Sequence, residues 1–357
     1  MKSEFIIIKK KINIVLLLTP FHLIQFKKVK NEIIDPSDVT IIFYNNKSVN
    51  IDKTIQHNHR IRNAPFVTFN FYEILYNPLK IFHYRKTIRK LKIFFRDELT
   101  ELKDIDTCSL IVFSFHGILP QVLRDEMKYY NPTIIEIEEG LSYYYQYNWQ
   151  DKILSFLYAF ITPILLNFKL EYRGNIGKNK STKILYARFP ELLPNKIPGI
   201  EYKKIKSAHS SVKTEKSVNK EILIFTSPFS EYKLLPVETE RKVLRKIIYI
   251  AKMEGYKIYI KCHPSEDENK YEDIFEGAIV LDHKMEAEKI NYFDYNKIIH
   301  FGSSVIIDLF EKNFPKKNII SIKLVSFSNN LKVFLNPTHA IEYNKNFNNS
   351  LRKVLNE

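Results

Sequence analysis

The stretch Gly255-Tyr256-Lys257-Ile258-Tyr259-Ile260-Lys261-Cys262-His263-Pro264 decides the fold. Its first part is rich in aromatic and β-branched residues, which predicts a short buried strand over residues 256–260. Pro264 ends the strand because proline has no backbone N–H to donate to a sheet. His263 therefore lies at the carboxyl end of a strand, where α/β sheets bind their ligands. Taken alone, a histidine at this position is more often a structural residue that caps the strand.

Similar strands followed by helices extend in both directions from this stretch. Residues 12–18 form a continuous apolar run, which is typical of a central parallel strand covered on both faces. The other strands that the apolar pattern predicts are 39–44, 66–71, 110–115, 133–137, 221–225, 297–301 and 318–323. Helical spacing predicts helices at 21–30, 78–102, 237–252 and from residue 305 onward. The alternation of strands and helices predicts an α/β fold.

A polar stretch divides this pattern into two parts. Residues 203–220 are rich in Lys and Ser and have no apolar period, so they predict a linker, which we place at 206–220. A chain of 357 residues is long enough for two domains. We therefore expect an N-terminal Rossmann-like domain (1–205) that faces a C-terminal one (221–335) across a central cleft. We expect segment 336–357 to pack back on the N-terminal domain.

The charge of the chain indicates an anionic partner. The formal net charge is +15 and the pI is about 9.4, which suits a nucleotide, nucleic acid, an acidic glycan or an anionic membrane surface. Part of this charge reflects a composition rich in Lys, Ile and Asn. The two cysteines, Cys108 and Cys262, supply neither a disulfide framework nor a zinc-binding pattern. They fit a reducing compartment, so we expect a cytoplasmic protein.

Three segments bear on membrane contact. The N-terminus has no continuous apolar core and no cleavage site, so it does not resemble a signal peptide. The apolar run 153–166 is broken by Pro163 and is shorter than the ~20 residues of a spanning helix. We expect a buried helix there, with an interfacial helix as the alternative. Residues 78–102 predict a basic amphipathic helix, either an ordinary surface helix or a contact for the inner face of the cell membrane or an acidic polymer.

Three polar groups follow predicted strands, and the first is Glu138-Glu139-Gly140. Adjacent carboxylates are costly beside an apolar strand unless they reach a solvated cleft. Because side chains alternate along a strand, only one of the two can readily face that cleft. A carboxylate there can act as general base on an acceptor hydroxyl. The alternative is a solvated pair in a turn.

The other two groups are His263-Pro264 and Gly302-Ser303-Ser304. An imidazole can bind a phosphate or donate a proton to it. Gly302 permits close approach, and serine hydroxyls at the start of a helix predict a phosphate site, with a plain N-cap as the alternative. The chain has neither a P-loop nor a dinucleotide-binding fingerprint. Asp104-Ile105-Asp106 has the spacing of a metal motif but lies in a predicted loop, so we expect neither a metal site nor a cofactor.

In this order, Glu138-Glu139-Gly140, His263-Pro264 and Ser303-Ser304 resemble the acidic-acidic-Gly, His-Pro and Ser-Ser/Thr motifs of bacterial sialyltransferases. These include the capsule polysialyltransferases, to which the spacing is most similar, and the lipooligosaccharide sialyltransferases. Thr19-Pro20-Phe21-His22-Leu23 resembles the opening strand and turn of the lipooligosaccharide group. The resemblance implies a GT-B glycosyltransferase, CMP-sialic acid as donor and a surface glycan as acceptor. It also implies inversion at the anomeric carbon without metal.

The resemblance implies roles for individual residues. Glu139 is the preferred general base, with Glu138 as the alternative, and His263 stabilises the departing CMP phosphate, which Ser303 and Ser304 hold. On the donor side, Glu286 binds the ribose, and backbone groups of Lys261 and Cys262 recognise cytosine. The remaining donor-side residues are Gly302, Pro264 and Ser227. The remaining acceptor-side residues are His22, Gly140 and Glu231.

One departure concerns the turn after the first strand of the second domain. Some relatives carry a catalytic acidic residue there, whereas this chain has Phe229 at the corresponding position. Either Glu231 takes over that role, or the base lies in the first domain.

Two other functions remain open at this point. Polymerases of the teichoic-acid type, which transfer glycerol phosphate from a CDP donor, also place His-Pro and Ser-Ser motifs on this architecture. The acidic pair at 138–139 favours a sialyltransferase. The non-enzymatic alternative is a basic protein that binds nucleic acid or an anionic membrane. No nucleic-acid motif accompanies the charge, so we expect no nucleic-acid partner.

Overall fold

The computed structural model describes residues 11–45, 49, 59–65, 77–100, 107–115, 117–144, 149–172, 177, 179–194, 196–206, 220–267, 269–274, 277–283, 285–324 and 338–357. The predicted strand at 66–71, the loop with Asp104 and Asp106, the N-terminal ten residues and most of the predicted linker lie outside these ranges. Backbone contacts divide the chain into two compact units. The first comprises Met1–Tyr143 and Tyr147–Ala208, and the second comprises Tyr144–Gln146 and His209–Glu357.

The first unit is built on one parallel sheet. Its strands are β1 (Lys11–Leu17), β2 (Val39–Tyr44), β3 (Arg60–Asn63), β4 (Thr107–Val112), β5 (Thr133–Ile137), β6 (Thr182–Ala187) and β7 (Glu201–Lys204). Its helices are α1 (Pro20–Ile33), α2 (Lys80–Leu99), α3 (Ile118–Met127) and α4 (Trp149–Leu166). The strands lie in the order β3-β2-β1-β4-β5-β6-β7, and all of the pairs are parallel.

Apolar side chains on both faces of this sheet explain why helices cover both sides. β1 is buried after its first residue, and alternate residues along it enter different cores. Ile14 belongs to the core that includes Phe95 of α2, whereas Val15 belongs to the core that includes Phe26 of α1. A strand buried on both faces is what a continuous apolar run predicts in a parallel sheet.

The second unit repeats this architecture. Its strands are β8 (Glu221–Phe225), β9 (Lys257–Lys261), β10 (Ile279–Val280), β11 (Lys297–His300), β12 (Ile319–Lys323) and β13 (His339–Glu342). Its helices are α5 (Val237–Met253), α6 (Val305–Glu311) and α7 (Phe347–Asn356). The strand order is β10-β9-β8-β11-β12-β13, again with parallel pairs throughout. The α/β prediction is therefore confirmed for both units.

The C-terminal segment belongs to the second unit, which corrects the expectation that it packs back on the N-terminal domain. β13 pairs with β12 in parallel register. Phe347, Leu351 and Leu355 of α7 are buried in the core beside β8, β9 and α5. Their spacing of four residues places them on one face of the helix. The Tyr256 hydroxyl also donates to the carbonyl of Leu355 at 2.7 Å.

The strand order decides where each unit can bind a ligand. In the first sheet the order reverses between β1 and β4, and in the second between β8 and β11. Successive crossovers leave on opposite sides of the sheet at such a point, so a crevice opens outside the carboxyl ends of the strands. The three polar groups (Glu138-Glu139-Gly140, His263-Pro264 and Gly302-Ser303-Ser304) each follow a strand at or beside one of these reversals.

Helix α4 differs from the buried helix that the apolar run predicted. Thr162 and Leu166 are buried, but Phe156 and Phe160 are 70% and 64% exposed. The run carries apolar residues on both faces, so its composition could not reveal that only one face packs. Of the helices that the structure describes, none has both the length and the apolarity needed to cross a bilayer.

Candidate active site

The carboxyl edge of the first sheet gathers polar side chains that follow three neighbouring strands. His22 lies in the first turn of α1, directly after β1, and Ser114 follows β4. Glu138 and Glu139 follow β5. Because β1, β4 and β5 are adjacent in the sheet, the ends of these strands bring residues from distant parts of the sequence together.

Glu138 is a buried structural carboxylate. It has no exposed surface, and Arg188, which is also buried, donates to its Oε1 from Nε at 2.9 Å and from an Nη atom at 2.7 Å. The backbone N–H of Arg188 donates to Oε2 at 2.7 Å. A buried ion pair of this kind needs all of its hydrogen bonds to offset the cost of desolvation. Glu138 is thereby held away from solvent, which argues against its role as the alternative base.

Glu139 is the carboxylate that reaches the surface of this edge. Its side chain is 33% exposed, and its Oε1 lies 3.4 Å from Nε2 of His22. The hydroxyl of Ser114 donates to Oε2. Glu139 is thus a partly exposed carboxylate that accepts a hydrogen bond from Ser114 and lies beside His22, an arrangement well suited to accept a proton from a bound hydroxyl.

His22 is held in one orientation by its surroundings. Its ring stacks on Phe113 with the centroids 4.2 Å apart, and its Nδ1 accepts the backbone N–H of Leu18 at 3.0 Å. A neutral ring with Nδ1 as acceptor carries its proton on Nε2. The Thr19 side chain caps the helix by accepting the backbone N–H of His22. These contacts place Nε2 of His22 3.4 Å from Glu139 Oε1, although no hydrogen bond joins the two atoms.

A third carboxyl group, Glu136, lies buried beneath this site. Burial raises its pKa to about 7. The Tyr143 hydroxyl lies 2.7 Å from Glu136 Oε1 and also contacts the carbonyl of Phe113. The Tyr143 hydroxyl has one proton and can donate it to only one of these two oxygens. A proton on Glu136 can supply the second hydrogen bond. Gly140, with φ of 136°, adopts a backbone conformation that favours glycine where the chain turns from β5 towards Tyr143.

The carboxyl edge of the second sheet carries His263. The backbone N–H of His263 donates to Glu266 at 2.7 Å, and its Nδ1 accepts the backbone N–H of Ser265 at 3.1 Å. Burial lowers the pKa of His263 below its usual value, which favours the neutral ring with the proton on Nε2. Pro264 is exposed and begins the turn that forms this loop. His263 can therefore donate an Nε2 hydrogen bond to an anion while remaining neutral.

A cluster of charged side chains around the buried Lys270 supports the His263 loop. Lys270 lies 2.5 Å from Glu240, 3.0 Å from Glu231 and 3.2 Å from Glu266. Glu266 also accepts the hydroxyl protons of Thr226 and Tyr271. Glu231, the predicted acceptor-side carboxylate, is thus engaged with Lys270 within the second unit. The His-Pro motif did not reveal this cluster, although Glu266 follows His263 by only three residues.

The turn with Gly302, Ser303 and Ser304 follows β11. His300 is buried, and burial lowers its pKa to about 4. Its Nδ1 accepts the backbone N–H of Gly302 at 3.2 Å, whose φ of 82° suits glycine. The Ser303 hydroxyl accepts the N–H of Val305 at 3.3 Å, and Ser304 is exposed. His300 therefore positions this turn, a role that the sequence reading missed.

The remaining predicted donor-side residues have different surroundings. The Lys261 ammonium is buried and donates to the carbonyls of Cys262 at 2.8 Å and His283 at 3.1 Å, so its side chain holds the strand end. Ser227 is buried directly after β8, between the ends of β9 and β11. Glu286 lies 3.2 Å from Lys289. Across the residues that the structure describes, no group of three or more His, Cys, Asp or Glu side chains could hold a metal ion.

Solved structures define the class of the fold. The calicheamicin glycosyltransferase CalG4 aligns over 98% of this chain and 89% of its own, with 8% identity and a TM-score of 0.57. The GT-B domain of a sialyltransferase from Photobacterium damselae aligns over 92% of this chain and 99% of its own, with 11% identity and a TM-score of 0.51. The chain therefore has the GT-B fold of glycosyltransferases.

The sequence model of a family described as "Alpha-2,8-polysialyltransferase (POLYST)" matches residues 13–299. The chain belongs to the alpha-2,8-polysialyltransferase family. This membership confirms the resemblance to bacterial sialyltransferases and favours an enzyme over the non-enzymatic alternative. The matched range includes Glu139 and His263 and ends just before Ser303. A search of curated protein sequences gave no match.

Proposed function

We propose that this protein is an inverting sialyltransferase that moves sialic acid from CMP-sialic acid to a hydroxyl group of a glycan, without a metal ion. The observation that carries the proposal is the partly exposed Glu139, which accepts a hydrogen bond from Ser114 and lies 3.4 Å from His22 at the strand reversal of the first sheet. The family of the chain favours a sialylated acceptor and an α2,8 bond. The net charge of +15 suits an anionic donor and an acidic acceptor.

In the proposed reaction, Glu139 removes the proton of the acceptor hydroxyl as its oxygen bonds to the anomeric carbon. The bond from that carbon to the CMP phosphate breaks on the opposite face, which inverts the configuration. The sugar passes through an oxocarbenium-like state, so the reaction needs one base and stabilisation of the departing anion. His22 orients Glu139 and takes no part in proton transfer.

On the second sheet, we propose that His263 and the Gly302 turn receive the phosphate of CMP. The Nε2 proton of His263 and the hydroxyls of Ser303 and Ser304 are donors for its oxygens. They would stabilise the charge that develops as CMP leaves. Backbone groups of Lys261 and Cys262, with the exposed Pro264, would lie against the cytosine, and Glu286 would accept from the ribose hydroxyls.

Transfer assays test the reaction. The protein is incubated with CMP-sialic acid and a panel of labelled lactosyl and oligosialyl acceptors, and the products are read by mass. We expect one or more sialyl additions, highest on oligosialyl acceptors and unchanged by a chelator. A parallel arm supplies CDP-glycerol. Transfer of glycerol phosphate without sialyl transfer would overturn the proposal in favour of a polymerase of the teichoic-acid type.

The His263→Ala variant tests the donor side. We expect turnover to fall about 10²–10³-fold, the usual loss when one donor to a developing anion is removed. Because burial lowers the pKa of His263, the ring is neutral at pH 7 and above, and the loss should be equally large at pH 7 and pH 8. His83→Ala, at an exposed histidine on α2, is the matched control. Near-normal turnover of His263→Ala would contradict the assignment.

A further inference from the structure

Helix α4 exposes a continuous apolar stripe. Phe156 and Phe160 stack with their centroids 6.5 Å apart, and Trp149 and Ile164 are 68% and 64% exposed. The spacing of these residues places them on one narrow face of the helix. The exposed apolar residues of the stripe are Trp149, Ile153, Phe156, Leu157, Phe160 and Ile164. An exposed apolar patch of this size marks an interaction site.

Helix α2 lies against the end of α4 and extends this stripe. The Arg85 guanidinium donates to the carbonyls of Leu165 at 2.8 Å and Ile164 at 3.2 Å. Arg85 thus satisfies the last carbonyls of α4. Leu79, just before α2, and Phe82 in its first turn are 74% and 67% exposed. The two helices therefore present exposed apolar side chains from adjacent segments of the first unit.

Cations share the exposed face of α2 with these apolar residues. Lys86, Arg89 and Lys90 are exposed, and helical spacing places them on the same side as Phe82. Their side chains form no ion pair with any residue that the structure describes. Lys92 and Arg96, in contrast, pair with Asp125 and Glu126 of α3. Within α2, the unpaired cations thus lie on the side of the helix where the apolar side chains are exposed.

We propose that the first unit docks on an anionic lipid bilayer through this surface. We define the docking surface as the α4 stripe together with Leu79, Phe82, Lys86, Arg89 and Lys90. Large apolar side chains beside lysine and arginine are the composition of helices that lie in the plane of a bilayer interface. The apolar side chains enter the boundary of the acyl chains, and the cations contact anionic headgroups. The stripe of α4 lies flat, since α4 does not have the length and apolarity to span.

Charge argues for a bilayer rather than a second copy of the chain. A symmetric dimer places the same patch of each subunit against the other. The cations Lys86, Arg89 and Lys90 would then face like charges across a low-dielectric interface, which is unfavourable. An anionic bilayer satisfies these charges and the apolar stripe together. The inference does not depend on the proposed reaction, because no residue of the docking surface lies in the candidate active site.

Sedimentation with lipid vesicles tests the inference. The wild-type protein is mixed with vesicles of phosphatidylcholine alone, or with 30% phosphatidylglycerol added (about one lipid in three). We expect binding to the anionic vesicles at least tenfold tighter than to neutral ones, and weaker binding as salt is raised. Equal affinity for both vesicles, or no binding to either, would overturn the proposal.

Two variants separate the apolar and the charged contributions. In Phe156→Gln/Phe160→Gln we expect binding to anionic vesicles to fall at least tenfold. The matched control is Tyr249→Gln/Met253→Gln, which removes exposed apolar side chains from α5. In Lys86→Glu/Arg89→Glu/Lys90→Glu we expect a loss of about 100-fold. The matched control is Lys242→Glu/Lys345→Glu/Lys353→Glu, which makes the same change of charge at exposed sites of the second unit.

The results for these variants distinguish a lipid bilayer from a second copy of the chain as the partner of the docking surface. If both docking-surface variants lose binding and both controls keep it, the docking surface is supported. Circular dichroism checks that each variant is folded, and the two variants alter different side chains, so misfolding of one leaves the other as a test. If the phenylalanine variant keeps full vesicle binding but abolishes a wild-type dimer in size-exclusion chromatography, the surface is an interface between copies and the proposal is wrong.

Discussion

His22 in the first unit and His263 in the second are held in the same way but lie in different surroundings. In each ring Nδ1 accepts a backbone N–H, from Leu18 at 3.0 Å and from Ser265 at 3.1 Å. A neutral ring then carries its proton on Nε2. His22 is buried, and its Nε2 lies 3.4 Å from Glu139 without a hydrogen bond between them. His263 is partly exposed, and its Nε2 has no hydrogen-bond partner among the residues that the structure describes.

The difference shows that burial gives the histidines of two similar sheets different roles. Both units reverse their strand order beside the first strand and bring polar side chains to the carboxyl edge. At the first edge the buried histidine lies beside a partly exposed carboxylate, which can accept a proton. At the second edge the accessible histidine is left to donate to a ligand. Variants at each edge can separate these roles.

The largest effect is expected from Glu139→Gln. Gln keeps the size of the side chain but cannot accept a proton as a base, so we expect kcat to fall about 10²–10⁴-fold. The midpoint of thermal unfolding should stay close to that of the wild type, because Glu139 is partly exposed. Glu272→Gln, at an exposed carboxylate of the second unit, serves as control. A kcat within threefold of the wild type would move the base elsewhere.

Glu138 should show the opposite pattern from its neighbour. Glu138→Leu leaves the Arg188 guanidinium buried without its partner, and we expect a loss of about 3–5 kcal/mol in the free energy of unfolding. The measurement is urea unfolding followed by circular dichroism. Glu138→Leu/Arg188→Leu removes both charges and should recover much of the loss. If the single variant is as stable as the wild type but inactive, then Glu138 rather than Glu139 serves the chemistry.

The contrast between these neighbours marks the limit of the sequence reading. Alternation along β5 indicated that only one of Glu138 and Glu139 faces the edge, and the resemblance favoured Glu139. The sequence did not show what the other carboxylate does, because its partner Arg188 lies 50 residues away on the end of β6. β6 itself was missed, since Thr182–Ala187 is a short run preceded by polar residues.

The fold could be predicted where an apolar run is long. It could not be predicted where an element packs against residues that are distant in the sequence. The run at 12–18 indicated a central strand, and the structure has β1 there. The destination of α7 was predicted wrongly, because an amphipathic helix shows which face is buried but not which core it joins. α4 was predicted wrongly for the related reason that both of its faces are apolar.

Glu136 should make stability depend on pH in the first unit. Burial raises its pKa from 4.5 to about 7, so the folded state holds the proton more tightly than the unfolded state. The stabilisation is complete below pH 4.5 and is lost as pH rises to about 7, by on the order of 3 kcal/mol. Glu136→Gln keeps the hydrogen bonds of the protonated form. We expect urea unfolding at pH 5 and pH 8 to differ less in this variant than in the wild type.

The measurement at pH 5 serves as the control for the measurement at pH 8. At pH 5 the wild type and Glu136→Gln should have similar stability, because the native carboxyl group is protonated. At pH 8 the variant should be the more stable of the two. A wild type that is more stable than the variant at pH 8 would mean that Glu136 is ionised and paired in the folded state, contrary to the contacts with Tyr143 and Phe113.

The smallest effect is expected from His22, since it acts through Glu139. His22→Phe keeps a ring against Phe113 but removes the Nε2 proton that faces the carboxylate. We expect kcat to fall about tenfold with KM unchanged, because the carboxylate loses the polar N–H beside it. His22→Gln can place an amide N–H near the same position and should recover part of the rate. A purely structural role predicts equal loss in both variants together with a lower free energy of unfolding. Recovery in Gln alone, at unchanged stability, identifies His22 as the residue that positions the base.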